Sequence, residues 1–192
     1  MIKLSIFHSN YDGGIAVIRI DVYKRQGETA EIAMRAAMTG HMVLTTIHTN
    51  DALSSIDRLL DIGVEPYLIS GAVQGIISQR LVRKICPNCK KSYTPSQEEL
   101  ELLGLPLDGQ YTFYHGKGCS DCFQTGYRGR TAVFEILTMT PEIRRAIHSR
   151  SLTLMEEAVS KSTFHPIMEN CADLVKNGVT TVEEILRVVG RE

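Results

Sequence analysis

The chain has 192 residues, of which 43% are hydrophobic and 22% are charged, a composition that excludes a largely disordered protein. Its formal net charge of -1 excludes a global basic field, so nucleic-acid binding would need a local cationic patch. No apolar run approaches the roughly 18 residues that cross a bilayer, and the N-terminus lacks the pattern of a signal peptide, so we expect a cytoplasmic location.

A helix and then a buried strand are predicted early in the chain. Residues Glu28–Thr39 are rich in Ala, Met, Glu and Arg, and Gly40 stands where a helix commonly ends. Residues Met42–Ile47 (MVLTTI) are short, mostly apolar and rich in β-branched side chains. This pattern favours a central parallel strand that is covered on both faces.

Two helices are predicted next. Thr49, Asn50 and Asp51 offer an N-cap for a helix that stops at Gly63. Pro66 suits the first position of the following helix. The predicted buried side of that helix comprises Leu68, Ile69, Ala72, Val73, Ile76 and Ile77. This order of elements predicts a doubly covered α/β sheet.

The composition changes at Cys86, where Pro, Lys, Gly and Tyr become frequent and the apolar period is lost. Only Thr94–Leu103 is predicted to be helical there, with a capping box at Thr94 and Gln97. Residues Arg130–Leu137 (RTAVFEIL) have strand character. Three helices are predicted in the tail, with start signals at Thr140 and Pro141, Thr153 and Glu156, and Thr181 and Glu184.

Four of the five cysteines form two CxxC pairs, Cys86 with Cys89 and Cys119 with Cys122. Two residues between thiolates let both sulfurs face one ion, and two such pairs complete a tetrahedral site. Zinc is the favoured ion, in a closed structural site, and a redox dithiol is the alternative. Cys171 stands alone in a helical pattern and is predicted to be a buried small hydrophobe.

Two histidines bracket the predicted strand. His48 lies just past its carboxyl end, which is the edge where open α/β sheets bind ligands. With Thr46 and Thr49 beside it, His48 could contact a phosphate or a neighbouring subunit. The alternative is a histidine that satisfies the loop backbone.

A basic cluster lies beside the first CxxC pair. It consists of Arg80, Arg83, Lys84, Lys90 and Lys91. Such a cluster is typical of a solvated rim, and the alternatives are contact with phosphate or with an acidic partner surface.

The strings ETAEIAMRAAMTGHMVLTTIHTNDA, QRLVRKICPNC, CSDC and GYRGRTAVFEIL closely resemble the secretion-superfamily ATPases of type II secretion and type IV pilus assembly. The resemblance extends from about Gly27 to Val189. It implies an α/β fold: the C-terminal part of a RecA-like P-loop ATPase domain, an inserted four-cysteine zinc subdomain and a helical tail. It also implies a homohexamer that binds ATP and Mg²⁺ and works with inner-membrane secretion or pilus platform proteins.

The resemblance also implies site residues. GHMVLTTIHT is similar to the histidine box of the family, which puts His41 and especially His48 in a nucleotide-sensing role. Gln79 and Arg80 match the place where the polypeptide of the family passes the nucleotide, so Arg80 is a further candidate.

Two catalytic elements of that family are missing from this sequence. No GxxxxGK[ST] string, which would cradle the phosphates, occurs; in the nearest match Gly118 replaces the hydroxyl that binds Mg²⁺. The Walker B element Gly-Glu-Ile-Arg-Asp, which precedes the ETA run in the family, is replaced by DVYKRQ at 21–26. We therefore assign no catalytic residue and expect this chain alone to hydrolyse no ATP.

Four segments are predicted: 1–26 as non-native or divergent, 27–85 as a partial RecA-like domain, 86–129 as the zinc subdomain, and 130–192 as a strand with a helical subdomain. The first assignment rests on DVYKRQ, which the codons GAT GTG TAT AAG AGA CAG encode; that string is similar to a transposon end used to fragment DNA for sequencing. Amplification of source DNA across codon 26 tests this hypothesis, and an uninterrupted product encoding DVYKRQ would contradict it.

Two functions remain open at this point. The first is the C-terminal part of a hexameric motor ATPase. The second is a non-catalytic zinc-ribbon module that binds nucleic acid or protein through the basic cluster, although the overall charge does not favour nucleic acid.

Overall fold

A computed structural model of the chain describes residues 2–6, 17–21 and 26–190. Contacts divide these residues into two compact units. The first unit comprises the described residues up to Gln79 together with Glu135–Phe164, and the second comprises Arg80–Phe134 with the described residues from His165 onward. Among the described residues, no helix has the length and apolar character needed to cross a membrane.

The strands are β1 Ile2–Ile6, β2 Val17–Asp21, β3 Met42–Ile47, β4 Gly75–Ile85, β5 Lys90–Tyr93, β6 Phe113–Gly116 and β7 Tyr127–Thr138. The helices are α1 Gln26–Met38, α2 Ala52–Asp61, α3 Pro66–Ala72, α4 Gln97–Leu102, α5 Pro141–Ser149, α6 Leu152–Ser160, α7 Ile167–Lys176 and α8 Val182–Val188. A short 3₁₀ turn covers Ser120–Cys122.

Five strands form one sheet in the order β2-β3-β1-β4-β7, and β5 pairs with β6 separately. β3 is a central strand, as predicted, with Val43, Thr45 and Ile47 buried on one face. It is parallel to β2 but antiparallel to β1, so the prediction of parallel pairing holds on one side only. The α/β class that was predicted is confirmed.

The helix predicted from Pro66 is shorter than expected, because α3 ends at Ala72 and a strand follows. Val73, Ile76 and Ile77 are therefore not helical, and β4 was missed. A short apolar run can belong to a buried helix or to a strand, and its period does not distinguish the two. Here hydrogen bonding to neighbouring strands in the sheet decides for β4.

Two helix starts differ from the prediction. α4 is capped by Ser96, whose side chain accepts a hydrogen bond from the backbone N–H of Glu99, so a capping box at Thr94 was wrong. Thr94 precedes a proline, a position that disfavours helical backbone. α6 begins after Ser151 rather than at Thr153, because the Ser151 hydroxyl accepts the hydrogen bond from Leu154 N–H.

The tail contains four helices rather than three. α5 and α8 begin after Thr140 and Thr181 as predicted, and each threonine accepts a hydrogen bond from its helix. α7 follows Pro166, which has no capping side chain, so no start signal marked it. Cys171 on α7 is buried in the core of the second unit as predicted, and burial raises the pKa of its thiol to about 12.

Each unit has its own apolar core. The core of the first unit includes Met34, Ile56, Leu68, Ile69, Ile76, Leu137 and Ile143. The core of the second unit includes Val82, Phe113, Val133, Val175 and Ile185. The four paired cysteines form a third cluster, separate from both.

Candidate functional site

The four paired cysteines come together in the second unit. Their sulfur atoms all lie within 4.8 Å of one another. The Sγ–Sγ distance is 3.9 Å for Cys86 with Cys119 and for Cys89 with Cys122, and 3.6 Å for Cys119 with Cys122. The loop that leaves β4 and the 3₁₀ turn before β7 therefore bring the two CxxC pairs to one point.

These distances fit a metal ion rather than disulfides. Four thiolates bound tetrahedrally at the zinc–sulfur length are about 3.8 Å apart, close to the observed spacings. Disulfide sulfurs are only about 2.05 Å apart. The cluster can therefore hold a metal ion in a closed four-sulfur site, as the CxxC spacing predicted.

Backbone groups prepare Cys122 to act as a thiolate. Burial opposes ionisation, but hydrogen bonds from the N–H groups of Cys119 and Gly126 outweigh it and lower the pKa of Cys122 to about 6. In the absence of an ion, burial raises the pKa of Cys89 to about 12. A bound cation would favour the thiolate form of every member, because only thiolates ligate.

Glycines let the chain pass close to itself beside the cysteines. Gly126 has a φ of +77°, and a Cβ there would collide with the carbonyl oxygen of Gly116. A Cβ on Gly116 would collide with Gly126 in turn. The Gly126 carbonyl also accepts a hydrogen bond from Cys86 N–H at 2.9 Å, which ties this crossing to the first CxxC pair.

Two side chains of the basic cluster contact groups within the second unit. The Arg83 guanidinium contacts the Glu184 carboxylate at 2.7 Å and lies 4.0 Å from the Tyr127 ring centroid. Lys90 Nζ donates to the Gly178 carbonyl at 2.6 Å and lies 4.1 Å from the Tyr114 ring centroid. Lys84 and Lys91 are exposed. Arg83 and Lys90 are thus engaged within the unit, which weakens the case for a continuous phosphate-binding patch.

The two candidate histidines lie at opposite ends of β3, roughly 20 Å apart along an extended strand. His48 follows Ile47, at the carboxyl end, and is exposed. His41 precedes the strand, and its Nδ1 lies 3.2 Å from both the Thr39 hydroxyl and the Ala36 carbonyl. The His41 ring therefore lies against the last turn of α1, and the structure does not bring the two rings together.

The loop after His48 is held by its own side chains. Asp51 caps α2, accepting from Ser54 N–H at 2.6 Å. The hydroxyls of Thr49 and Ser55 are 2.6 Å apart, and Thr49 also donates to the Asp51 carbonyl at 3.2 Å. The Thr49 hydroxyl, which lies beside His48 in the sequence, is thus engaged within the loop.

A residue that sequence reasoning missed lies beneath this loop. Glu135 on β7 is only 4% exposed, and its Oε1 accepts a hydrogen bond from Ala52 N–H, the first residue of α2, at 2.7 Å. The sequence carried a signal, because Val133, Glu135 and Leu137 share the buried face of β7. A carboxylate in that alternation is uncommon without a partner.

The remaining predictions concern Arg80 and the N-terminal residues 1–26. Arg80 lies in β4 and is half-buried. The predictions for residues 1–26 fall mainly outside the described ranges, which there include only 2–6, 17–21 and Gln26. The assignment of 21–26 to the place of a Walker B element and the junction hypothesis both remain predictions.

Comparison with known proteins places the chain in a family. The family model of the Type II/IV secretion system proteins matches residues 24–187. Type II secretion system protein E of Pseudomonas aeruginosa is 42% identical over 88% of this chain and 34% of its own length. Type IV pilus assembly ATPase PilB of Thermus thermophilus is 44% identical over 84% of this chain and 19% of its own length.

A solved structure is also similar. The pilus retraction motor PilT with bound ADP aligns with a TM-score of 0.57 and 26% identity, over 89% of this chain and 38% of that one. The chain spans about a third of the length of the secretion proteins it matches. Because one family model covers most of the sequence, the chain belongs to the Type II/IV secretion system protein family.

Proposed function

We propose that this chain is the C-terminal part of an ATPase that powers type II protein secretion or type IV pilus assembly. The match of the family model to residues 24–187 carries the proposal, because relatives within it are named as a secretion system ATPase and a pilus assembly ATPase. The whole protein binds ATP and Mg²⁺ through elements that this chain lacks, and the chain alone is inactive.

Within that protein, the four-cysteine cluster binds structural Zn²⁺. The sulfur spacings support an ion with a four-thiolate tetrahedral preference, and a closed site leaves no position open for catalysis. The assembled protein is a homohexamer that acts at the cytoplasmic side of the inner membrane through platform proteins. The zinc-ribbon alternative is less well supported, because Arg83 and Lys90 are engaged inside the second unit.

His48 is the residue that senses nucleotide, with Arg80 as a second candidate. His48 is exposed at the carboxyl end of β3, which is parallel to β2, and ligands bind open α/β sheets at that edge. His41 lies at the other end of the strand and its Nδ1 is close to Ala36. We therefore assign His41 a local structural role in the same protein.

A chimera tests the proposal. Residues 27–189 replace the matching segment of the Pseudomonas protein E, which supplies the missing upstream elements. We expect the purified chimera to hydrolyse ATP, and His48→Ala to lower kcat by about 100-fold, the lower end of the loss typical of a positioned proton-transfer group.

His41→Ala is the matched control. It should change kcat by no more than about twofold, as a surface substitution does. A zinc-loaded, hexameric chimera without ATP hydrolysis would contradict the proposed function. Equal effects of the two histidine substitutions would contradict the assignment of His48.

A further inference from the structure

A buried carboxylate meets the helix that begins directly after the His48 loop. Glu135 is 4% exposed, and its Oε1 lies 2.7 Å from Ala52 N at the start of α2. Only four residues, His48–Asp51, separate the end of β3 from that helix. We propose that Glu135 is a positioning residue that fixes the far end of this loop and thereby the place of His48; the link to nucleotide rests on the proposed function.

Capping does not explain this carboxylate. Asp51 already caps α2, because its side chain accepts from Ser54 N–H and the Ser54 hydroxyl accepts from Asp51 N–H. Burying a second carboxylate is unfavourable unless it is paired by charge or hydrogen bonds. An apolar residue would fill the same inward position, between Val133 and Leu137 on β7. The carboxylate therefore adds a bond to Ala52 N–H that the Asp51 cap does not supply.

The loop is short and bound at both ends. β3 fixes its start through pairing with β1 and β2. Glu135 fixes its end, and the positive end of the α2 dipole favours a negative charge there. Between them the Thr49 and Ser55 hydroxyls, 2.6 Å apart, join the loop to the first turn of the helix. His48 therefore projects from a loop with little freedom to move.

This arrangement also decides how a nucleotide can be contacted. The N–H groups of Ala52 and Ser54 both donate to carboxylates, so the start of α2 does not offer these donors to a phosphate. Contact with nucleotide from this loop falls instead to the exposed His48 ring. Glu135 thus supports a side-chain contact rather than a backbone phosphate cradle.

Native-state hydrogen exchange on the 192-residue chain tests the positioning. In Glu135→Ala, the Ala52 amide should exchange at least about tenfold faster, as expected when a hydrogen bond to a charged acceptor is lost. The His48 ring resonances should shift, while the amides of Val43 and Ile76 keep their protection. Glu135→Gln retains an oxygen acceptor and should restore most of the protection at Ala52.

Two results would overturn the positioning role. One is an Ala52 amide that exchanges in Glu135→Ala as it does in the unmodified chain. The other is a loss of protection spread equally over Val43 and Ile76, which would indicate a general stabilising role. Glu157→Ala, at an exposed ion pair with Lys161, is the control and should leave Ala52 and His48 unchanged.

The chimera connects positioning to activity. Glu135→Ala should lower kcat by about tenfold while KM for ATP stays within about twofold, with recovery in Glu135→Gln, the pattern of a lost interaction in the transition state. Unchanged kcat in Glu135→Ala would overturn the functional part of the inference. A chimera that is inactive before any substitution would instead overturn the proposed function, and the exchange results would still decide the role of Glu135.

Discussion

Cys86→Ser is expected to abolish metal binding and to release the loops that carry the two CxxC pairs. The four cysteines form their own cluster, separate from the apolar core of the second unit, so these loops have backbone hydrogen bonds but no share in that core. Binding a structural Zn²⁺ contributes on the order of 10 kcal/mol of apparent free energy. Metal analysis should find one zinc per unmodified chain and none in the variant.

Hydrogen exchange locates the effect of the lost metal. Protection should fall around residues 86–92 and 116–126, where Cys86, Lys117 and Gln124 donate backbone hydrogen bonds. Cys171→Ala is the matched control, because Cys171 is buried in the core of the second unit. It should keep one zinc per chain. Four freely titrating thiols and no metal in the unmodified protein would refute the site.

Glu184→Ala is expected to lower the free energy of unfolding by about 3 kcal/mol, the lower end of the range for breaking a buried ion pair. Glu184 is fully buried and accepts hydrogen bonds from Arg83 and from Arg187 at 2.6 to 2.9 Å. Both arginines are partly exposed and can regain water, which limits the loss. Chemical denaturation measures the change.

The control has the same chemistry without the burial. Glu142 pairs with Arg145 at 2.8 Å, with the i,i+3 spacing that Glu184 has with Arg187, but both side chains of this pair are largely exposed. Glu142→Ala should therefore cost no more than about 0.5 kcal/mol. Equal losses in Glu142→Ala and Glu184→Ala would show that burial of the Glu184 carboxylate does not strengthen the pair.

The same group makes stability depend on pH in acid. Burial opposes the charged form of Glu184, but hydrogen bonds from Arg187 and Arg83 outweigh it and lower its pKa from 4.5 to about 2. Since the folded pKa lies below the unfolded one, the stabilisation is complete above about pH 4.5 and is lost as the pH falls toward 2. Glu184→Gln should show a weaker fall in stability across this window.

Local chemistry made several features predictable. A CxxC pair brings two sulfurs to one point within a single turn, so Cys86, Cys89, Cys119 and Cys122 could be assigned before any fold was known. Helix caps are equally local, because Asp51, Thr140 and Thr181 bond to residues three positions away. Two helix starts were predicted wrongly, at Thr94 and Thr153, because a nearby serine forms the cap instead. The start of α7 was not predicted, because Pro166 has no capping side chain.

The strand β4 and the role of Glu135 could not be predicted from neighbouring residues in the sequence. The residues of β4 fit a buried helix or a strand equally well, and pairing within the sheet decides the outcome. Glu135 could be recognised as an unusual inward charge, but its partner Ala52 lies 83 positions away. The two histidines also needed the structure. The sequence placed both next to β3, but it is the extended strand that sets their rings at opposite ends.

The sequence by itself determined the family, the two CxxC pairs that could hold a metal ion and the helix after His48, because each rests on motifs whose residues lie within a few positions of one another. Only the tertiary structure decided that Arg83 and Lys90 serve the interior of the second unit and that Glu135 anchors the His48 loop. Those roles depend on which distant segments meet, and the free energy of pairing a buried charge is defined only once its partner is in place.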